Sequence, residues 1–277
     1  MDAEYLNRLF GMDGKVAVVT GGGGILCGTM CRAFARLGAR VAILDMNPAA
    51  AEAVAAGIAA EGNEALAVQA NVLEAESLNT ALAQILERYG RVDILVNGAG
   101  GNRREATTSP DLSFFDLPRD AFQWVFNLNL MGTLLSTQAF GRQMVKQDAG
   151  AILNIASLSG LRPLTNVGAY SAAKAAVINF TQWMAVHFST HYSKNVRINA
   201  LAPGFFLTEQ NRFLMTDAQT GELTKRGQSV VDHTPQAHLG DPEDLLGAAV
   251  WLLSPSAAFV HGSVVTVDGG FMAFAGV

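Results

Sequence analysis

Short apolar runs alternate along this chain with longer segments in which apolar residues recur at helical spacing. The short runs are rich in β-branched residues and are bounded by turn-forming residues, which is typical of buried strands. The longer segments follow at regular intervals, and two of them end at Gly38 and Gly90. The predicted strands are 15–20, 40–45, 64–72, 91–97, 150–157, 195–204 and 262–270, and the predicted helices are 25–38, 48–61, 74–90, 119–147, 169–192 and 242–253.

The order of these elements predicts the fold class. The strands carry continuous apolar runs, so both faces of the sheet should be covered. A helix separates each strand from the next, which favours parallel strands. No linker rich in proline, serine or charge divides the chain. We therefore predict an α/β protein of one domain, residues 1–277, with a doubly wound parallel sheet and helices on both faces.

Two segments interrupt the alternation of strands and helices. Residues 98–118 are a long polar loop after the fourth strand, and residues 205–240 follow the sixth strand. Insertions of this length in a compact domain usually form lids or binding loops. Both follow the carboxyl ends of strands, where open α/β sheets bind ligands. We predict that residues 205–240 form a substrate-binding loop or lid.

The composition excludes several classes of protein. Half of the 277 residues are hydrophobic and 16% are charged, which suits a well-filled core. A formal net charge of −5 argues against a nucleic-acid partner, since no basic stripe is present. The start, MDAEYLNRLF, has no signal-peptide pattern, and no apolar run reaches the roughly 18 residues of a membrane span. We expect a soluble cytoplasmic protein that does not bind membranes.

Cysteine and histidine give no metal-binding pattern. Cys27 and Cys31 have the spacing CxxxC inside a predicted helix, unlike the CxxC of redox and zinc sites. We expect both to be reduced core residues. His187 and His191 lie four residues apart on a helix, but no HExxH motif surrounds them. The sequence therefore predicts no metal site.

A glycine-rich turn after the first strand predicts a dinucleotide site. The sequence TGGGG at 20–24 lets the backbone approach a pyrophosphate, and the next helix offers free N–H groups and a positive dipole end. Asp45 ends the second strand, where a carboxylate can accept hydrogen bonds from ribose hydroxyls and would repel a 2′-phosphate. This pattern favours NAD(H) over NADP(H).

Tyr170 and Lys174 lie four residues apart at the start of an apolar predicted helix. They should share one helix face, where a cation beside a phenol favours the phenolate. Lowering the tyrosine pKa from about 10 towards neutrality requires roughly 3 to 4 kcal/mol, which a partly desolvated charge could supply. Taken alone, the same spacing also fits a solvated surface pair.

The order of further motifs resembles the short-chain dehydrogenase/reductase family. The likeness covers roughly residues 12–270 and implies a Rossmann-type fold. Besides the glycine turn and Asp45, the matching motifs are NV (71–72), NGAG (97–100), NLMG (129–132), Ser157, YSAAK (170–174) and PGFFLT (203–208). One departure is that later glycines of the family turn would fall on Ile25 and Cys27; Gly24 and Gly28 could compensate by a one-residue shift.

The resemblance implies a role for each matching residue. Ser157 and Tyr170 would act on the carbonyl oxygen, Tyr170 exchanging the proton, while Lys174 would favour the phenolate and hold the nicotinamide ribose. Asn129 would stabilise a water linked to Lys174. Residues expected to bind the cofactor are Gly21, Gly23, Gly24, Leu26, Asp45, Asn71, Val72, Asn97, Gly98, Ala99, Tyr170, Lys174, Pro203, Phe206 and Thr208.

Polar residues in the loops near the predicted site suggest a sugar-acid substrate. Guanidinium groups can hold a carboxylate bidentately, whereas an acyl or steroid pocket should be more apolar. The paired Arg103 and Arg104 could also be a solvated loop. Candidate substrate residues are Arg103, Arg104, Arg162, Asn166, Gln210, Asn211 and Arg212.

The segments VNGAGGN, LAPGFFLTEQNR and VDGGFMAFAGV resemble a subgroup described as D-mannonate oxidoreductases or fructuronate reductases. This resemblance implies the interconversion of D-mannonate and D-fructuronate with NAD(H). Gluconate 5-dehydrogenases and 3-oxoacyl carrier-protein reductases share the motifs and remain alternatives, as does an NAD-binding regulator without catalysis. The family resemblance also implies a homotetramer, with helix 169–186 and the tail 269–277 as contact surfaces.

Overall fold

A sheet of seven parallel strands forms the centre of the protein. We describe it from a computed structural model that covers residues 2–276, apart from the side chains of Ala3, Glu209, Gln210 and Phe213. The strand order is β3-β2-β1-β4-β5-β6-β7. The strands are β1 (Val16–Thr20), β2 (Arg40–Asp45), β3 (Ala65–Gln69), β4 (Ile94–Asn97), β5 (Gly150–Ile155), β6 (Val196–Pro203) and β7 (Val264–Val267).

Helices cover both faces of this sheet. They are α1 (Ala3–Phe10), α2 (Ile25–Arg36), α3 (Pro48–Ala60), α4 (Ala75–Tyr89), α5 (Arg119–Phe126), α6 (Gly132–Ser136), α7 (Arg142–Gln147), α8 (Gly168–His191), α9 (Glu209–Met215), α10 (Lys225–Asp232) and α11 (Leu246–Leu253). Two π-helical turns, Asn127–Met131 and Thr137–Gly141, join α5 to α7 in one helical segment. This architecture confirms the predicted α/β fold with a doubly wound, Rossmann-type sheet.

Local sequence explains where several helices begin and end. The Asn47 side chain caps α3, and Pro48 takes the first helical position, where its missing N–H is not needed. Gly90 ends α4 in the left-handed conformation, with φ of 75°. The Asp2 side chain accepts from the Tyr5 backbone N–H and starts α1, a helix that the hydrophobic pattern did not predict.

Two apolar layers hold the helices against the sheet. On one face, Met30 and Phe34 of α2 pack with Leu252 of α11. On the other, Leu78 of α4 and Met184 of α8 belong to the second layer. Each large buried side chain contributes about 1.5–3 kcal/mol of hydrophobic stabilisation. The helices cover the two faces of the sheet, and the connecting loops surround the carboxyl ends of the strands.

The reversal of strand order at β1 and β4 determines where a ligand can bind. The chain leaves β1 for β2 on one side and reaches β4 on the other, so the loops after β1 and β4 diverge from adjacent strand ends. A crevice opens at such a switch point. The long segment 205–240 lies after β6 and contains α9 and α10. Within residues 2–276, no helix is long and apolar enough to cross a membrane.

Candidate active site

The glycine turn after β1 lies directly against the loop after β4. Gly21 has φ of +66°, and a Cβ there would lie 2.9 Å from the backbone N and Cα of Ala99. The Thr20 hydroxyl oxygen accepts from the N–H groups of Gly98 and Ala99 at 3.1 and 3.2 Å. A larger residue at Gly21 would therefore both strain the backbone and separate the two loops.

Asp45 connects the end of β2 to the same turn. Its Oδ2 accepts from the Gly23 N–H at 3.0 Å, and its Oδ1 accepts from the Asn47 N–H at 3.0 Å. The side chain is half-buried at the edge of a cavity. Two backbone donors thus hold the carboxylate where it can face a ligand in that cavity.

A cavity of about 670 Å³ lies between the loops after β1, β2, β3 and β4. Ten of the residues predicted to bind a cofactor line it. They are Gly21, Gly23, Gly24, Leu26, Asp45, Asn71, Val72, Gly98, Ala99 and Thr208. Residues that were not predicted to bind the cofactor also line it, among them Gly100, Gly101, Trp124 and Leu128. Gly100 is the last residue of the NGAG motif and Gly101 follows it, whereas the two helix residues carry no comparable signal.

Asn97 and Phe206, two other predicted cofactor residues, do not line this cavity. The Asn97 amide is buried and donates to the Thr137 hydroxyl at 3.0 Å and to the Asn154 Oδ1 at 2.8 Å. Phe206 is buried beside Gly240. Pro203 is buried at the end of β6 and does not line it either.

The departure from the family turn has a structural explanation. The sulfur of Cys27 lines the cavity and occupies the space that a Cβ on Gly98 would need. Gly28 lies in α2, where a Cβ would come within 3.3 Å of the Gly22 carbonyl oxygen, so it permits close packing of the helix on the turn. Both cysteines are buried and free, and burial raises the pKa of the Cys27 thiol to about 12.

The Ser157 hydroxyl lies near the Tyr170 hydroxyl and affects its pKa. Ser157 follows β5, and Tyr170 lies in the first turn of α8. Burial raises the pKa of Tyr170, and the nearby Ser157 hydroxyl opposes this change. The direction is opposite to the lowering expected from the sequence. Loss of solvation of the phenolate outweighs the opposing effect of Ser157.

Lys174 is a buried residue, so the solvated surface pair considered from the sequence is wrong. Only 5% of its surface is exposed. Its Nζ donates to the Ile155 carbonyl oxygen at 2.7 Å and lies 5.6 Å from the centre of the Tyr170 ring. Burial lowers the pKa of Lys174 to about 8.

Asn129 fixes the loop after β4 against the helix that carries it. Its Nδ2 donates to the carbonyl oxygens of Gly101 and Val125, both at 2.7 Å, and its Oδ1 accepts from the Gly101 N–H at 3.1 Å. A Cβ on Gly100 would lie 2.6 Å from the Asn129 Oδ1 and 3.2 Å from the Lys174 Nζ. The cavity wall at Gly100 therefore adjoins both side chains.

The predicted substrate residues are scattered. The Arg103 guanidinium stacks on Trp124, 3.9 Å from the ring centre. The Asn211 side chain caps α9 through the Thr208 N–H and the Phe206 carbonyl oxygen, so its amide groups already have partners. The Asn166 carbonyl oxygen accepts from the Thr108 N–H at 3.0 Å. Arg104, Arg162 and Arg212 are exposed, and the Gln210 side chain lies outside the described residues.

Among the described side chains, no group of three or more His, Cys, Asp or Glu could hold a metal ion. His187 and His191 stack on one another at 4.3 Å on the outer face of α8, next to Trp183. Their environment is aromatic, without the carboxylates that would complete a metal site.

Comparison with known proteins agrees with this geometry. Residues 15–219 match the family model described as short chain dehydrogenase. An uncharacterised oxidoreductase of Bacillus subtilis is 47% identical, over 95% of this chain and 97% of its own length. The matched residues include those that line the cavity and also Ser157, Tyr170 and Lys174.

Two solved structures share the fold over nearly the whole chain. A Haemophilus influenzae protein, provisionally named D-mannonate oxidoreductase and with NAD bound, has 41% identity and a TM-score of 0.90, covering 98% of this chain and 100% of its own. A gluconate 5-dehydrogenase from Burkholderia cenocepacia, in complex with NADP and tartrate, has 31% identity and a TM-score of 0.86, covering 98% and 100%. The chain therefore belongs to the short-chain dehydrogenase family of oxidoreductases, which bind nicotinamide cofactors.

Proposed function

We propose that this protein is an NAD(H)-dependent oxidoreductase that interconverts a secondary alcohol and a ketone on a sugar acid. The observation that carries the proposal is the arrangement of Ser157, Tyr170 and Lys174 beside the cavity. The Ser157 hydroxyl lies near the Tyr170 hydroxyl, and Lys174 follows Tyr170 by one turn of the same helix. This arrangement provides two hydroxyl groups for one substrate oxygen.

The residues around the cavity fit a nicotinamide dinucleotide. The backbone of Gly21 and Gly23 can approach a pyrophosphate, and the start of α2 at Ile25 places free N–H groups at the same wall. Asp45 can accept hydrogen bonds from ribose hydroxyls. Lys174 would hold the nicotinamide ribose. When bound, the cofactor accepts or supplies the hydride of the reaction.

Asp45 supports NAD(H) rather than NADP(H). Its carboxylate lines the cavity and would repel a 2′-phosphate on the adenosine ribose. The neighbour with 41% identity has NAD bound, in agreement with this preference, whereas the neighbour with 31% identity has NADP bound.

Tyr170 exchanges the proton in the proposed mechanism. During reduction, it donates its hydroxyl proton to the substrate oxygen, on which negative charge develops. Because burial raises its pKa, the phenol keeps this proton at neutral pH. Ser157 donates a hydrogen bond to the same oxygen, and Lys174 stabilises the phenolate that remains. During oxidation, the phenolate accepts the proton from the alcohol.

Asn129 contributes to the proposed mechanism by positioning the loop after β4 beside Lys174. It holds Gly101 by two hydrogen bonds and thereby keeps Gly100 against the Lys174 ammonium. Since the family resemblance also assigns Asn129 a water that links Lys174 to solvent, loss of its amide should slow proton exchange rather than cofactor binding.

The proposal of a sugar-acid substrate is supported by two similar proteins. The neighbour with a TM-score of 0.90 is named provisionally for D-mannonate, and the gluconate 5-dehydrogenase holds tartrate, a hydroxy acid. The proposed reaction is D-mannonate + NAD⁺ ⇌ D-fructuronate + NADH + H⁺. Reduction of 5-ketogluconate is the second candidate, favoured by the gluconate 5-dehydrogenase likeness. Residues 205–240 would form the substrate-binding loop, since α9 and α10 follow β6.

The proposal includes assembly into a homo-oligomer, with a tetramer as the expected form. Trp183 and Val186 of α8 are 53% and 66% exposed, and burying such apolar surface against a second copy would stabilise an assembly. In the tail, Phe271 packs on its own chain, 5.1 Å from Phe205 from ring centre to ring centre, so the rest of the tail would supply any contact surface.

A carbonyl screen tests the proposed function. Initial rates of NADH oxidation would be compared for D-fructuronate, 5-ketogluconate, an acetoacetyl thioester and a simple diketone. We expect the highest kcat/KM with a keto-sugar acid. A protein that turns over only the thioester or the diketone belongs to another branch of the family, and the sugar-acid assignment fails.

A further inference from the structure

A second cavity, of about 460 Å³, lies among the loops of the same sheet edge. The loop after β5 contributes Leu164 and Thr165, and the residue Phe205 contributes from the segment after β6. Helix α10 contributes Arg226, and the C-terminal tail contributes Phe271. Four separate segments thus enclose one space outside the dinucleotide cavity.

The lining of this second cavity is hydrogen-bonded to the helix that carries Tyr170. The Leu164 backbone N–H donates to the hydroxyl of Ser171 at 3.3 Å, and Ser171 is the residue after Tyr170. Phe205 lies two residues beyond the end of β6, and its carbonyl oxygen accepts from the Gly240 N–H at 2.9 Å. A substrate whose carbonyl meets Tyr170 could therefore extend its chain towards α10.

The walls of the second cavity differ in chemistry. One wall is aromatic: the His233 ring lies 4.7 Å from Phe271, ring centre to ring centre, and 5.1 Å from Phe274. The other wall is polar and comes from α10, with Arg226 and Asp232. An aromatic face suits the carbon skeleton of a sugar, Asp232 can accept hydrogen bonds from its hydroxyls, and Arg226 suits its carboxylate.

Arg226 is the cation of the polar wall. Within the described residues it makes no ion pair, whereas the neighbouring Asp232 accepts a hydrogen bond from Gln228 at 2.7 Å. Arg226 is exposed and lines the cavity, so its guanidinium is available to an anionic ligand. Arginine can hold a carboxylate through two parallel hydrogen bonds, which lysine cannot do.

We propose that Arg226 on α10 binds the carboxylate of the substrate and makes the enzyme selective for sugar acids over neutral sugars. The inference rests on the proposed function and assigns the anionic subsite to the second cavity. Of the four arginines predicted from the sequence to contact substrate, none lines this cavity, whereas Arg226 does.

Three variants test the assignment: Arg226→Gln, Arg226→Lys and the matched control Lys225→Gln. Lys225 is exposed on the same helix and does not line the cavity. We expect Arg226→Gln to lower kcat/KM for D-fructuronate about 10- to 100-fold, mainly through KM, because a charge-assisted contact is lost. Arg226→Lys should fall between Arg226→Gln and wild type. Lys225→Gln should match wild type within about twofold.

A binding measurement separates this inference from the proposed function. Calorimetry of D-gluconate binding to the NADH-loaded protein should show the same ranking of variants, and the Kd for NADH should not change. If wild type reduces D-fructuronate and Arg226→Gln equals Lys225→Gln in KM and in D-gluconate binding, the inference is wrong while the proposed function stands. If wild type reduces no sugar acid and D-gluconate does not bind, both are wrong.

Discussion

The free energy of unfolding of the protein without cofactor should depend on pH because Lys174 is buried. The substitution Lys174→Met should remove this dependence. Lys174 is 5% exposed, and burial lowers its pKa from 10.5 to about 8. The unfolded chain therefore binds more protons than the folded protein between those pH values. Stability consequently rises as pH increases through this range.

The magnitude follows from the two pKa values. The difference between 10.5 and about 8 corresponds to roughly 3 kcal/mol of destabilisation, fully present below about pH 8. Between pH 7 and pH 9 about 1 kcal/mol of this cost is relieved. Lys174→Met removes the titrating group, so its pH dependence should lack this gain. Tyr170→Phe retains Lys174 and should keep it.

Guanidinium unfolding of the cofactor-free protein at pH 7, 8 and 9, followed by tryptophan fluorescence, measures the effect. The gain of about 1 kcal/mol should appear in wild type and in Tyr170→Phe as a rise in the free energy of unfolding, relative to Lys174→Met. An equal pH dependence in all three proteins would mean that Lys174 is not a buried charge. The reasoning about its environment would then be refuted.

Three further perturbations test other parts of the site. Asp45→Ala should reduce the NADH over NADPH preference in kcat/KM by about tenfold or more, because repulsion of the 2′-phosphate is lost; an unchanged ratio in initial-rate assays would contradict this reading. Gly100→Ala should destabilise the protein by about 1–3 kcal/mol in denaturant unfolding, since its Cβ would lie 2.6 Å from the Asn129 Oδ1; wild-type stability would argue against that contact. The third perturbation is pH. Because burial raises the Tyr170 pKa, kcat/KM for alcohol oxidation should rise steadily above neutrality, whereas kcat/KM for ketone reduction should stay level and fall only in strong alkali. Profiles with the opposite slopes would exclude Tyr170 as the proton-exchanging group.

The fold could be predicted because local patterns and packing agree in the strands. The run 40–45 is strand β2 with the predicted bounds, since its apolar residues fill the sheet between two helical layers. The last strand is shorter than predicted: 262–270 was expected, but pairing ends at Val267. Gly269 and Gly270 have positive φ and turn the chain away from the sheet.

The sequence does not show which polar side chains face a ligand and which form hydrogen bonds within the fold. An amide such as Asn211 can contact a ligand or cap a helix with equal chemistry, and only the folded backbone places the Thr208 N–H beside it. The Tyr170 pKa was predicted in the wrong direction for the same reason. The spacing to Lys174 was visible, whereas the loss of solvent around the phenol depends on residues distant in sequence.

Side chains that enclose cavities from separate segments were also missed. Arg226 and Phe271 line one cavity although 45 positions separate them, and neither belongs to a family motif. Cys27 and Gly98 are a complementary pair, in which the absence of a Cβ on one makes room for the sulfur of the other. Such pairs depend on strand order and loop contact.

Initial rates of D-fructuronate reduction by wild type and Tyr170→Phe, each with NADH and with NADPH, test the central claim most directly. We expect wild type to prefer NADH and Tyr170→Phe to lose about 100-fold or more in kcat, because the proton donor is absent while Ser157 and Lys174 remain. The Kd of the variant for NADH should stay near the wild-type value. Full activity in Tyr170→Phe, or a wild-type preference for NADPH, would contradict the proposed roles of Tyr170 and Asp45.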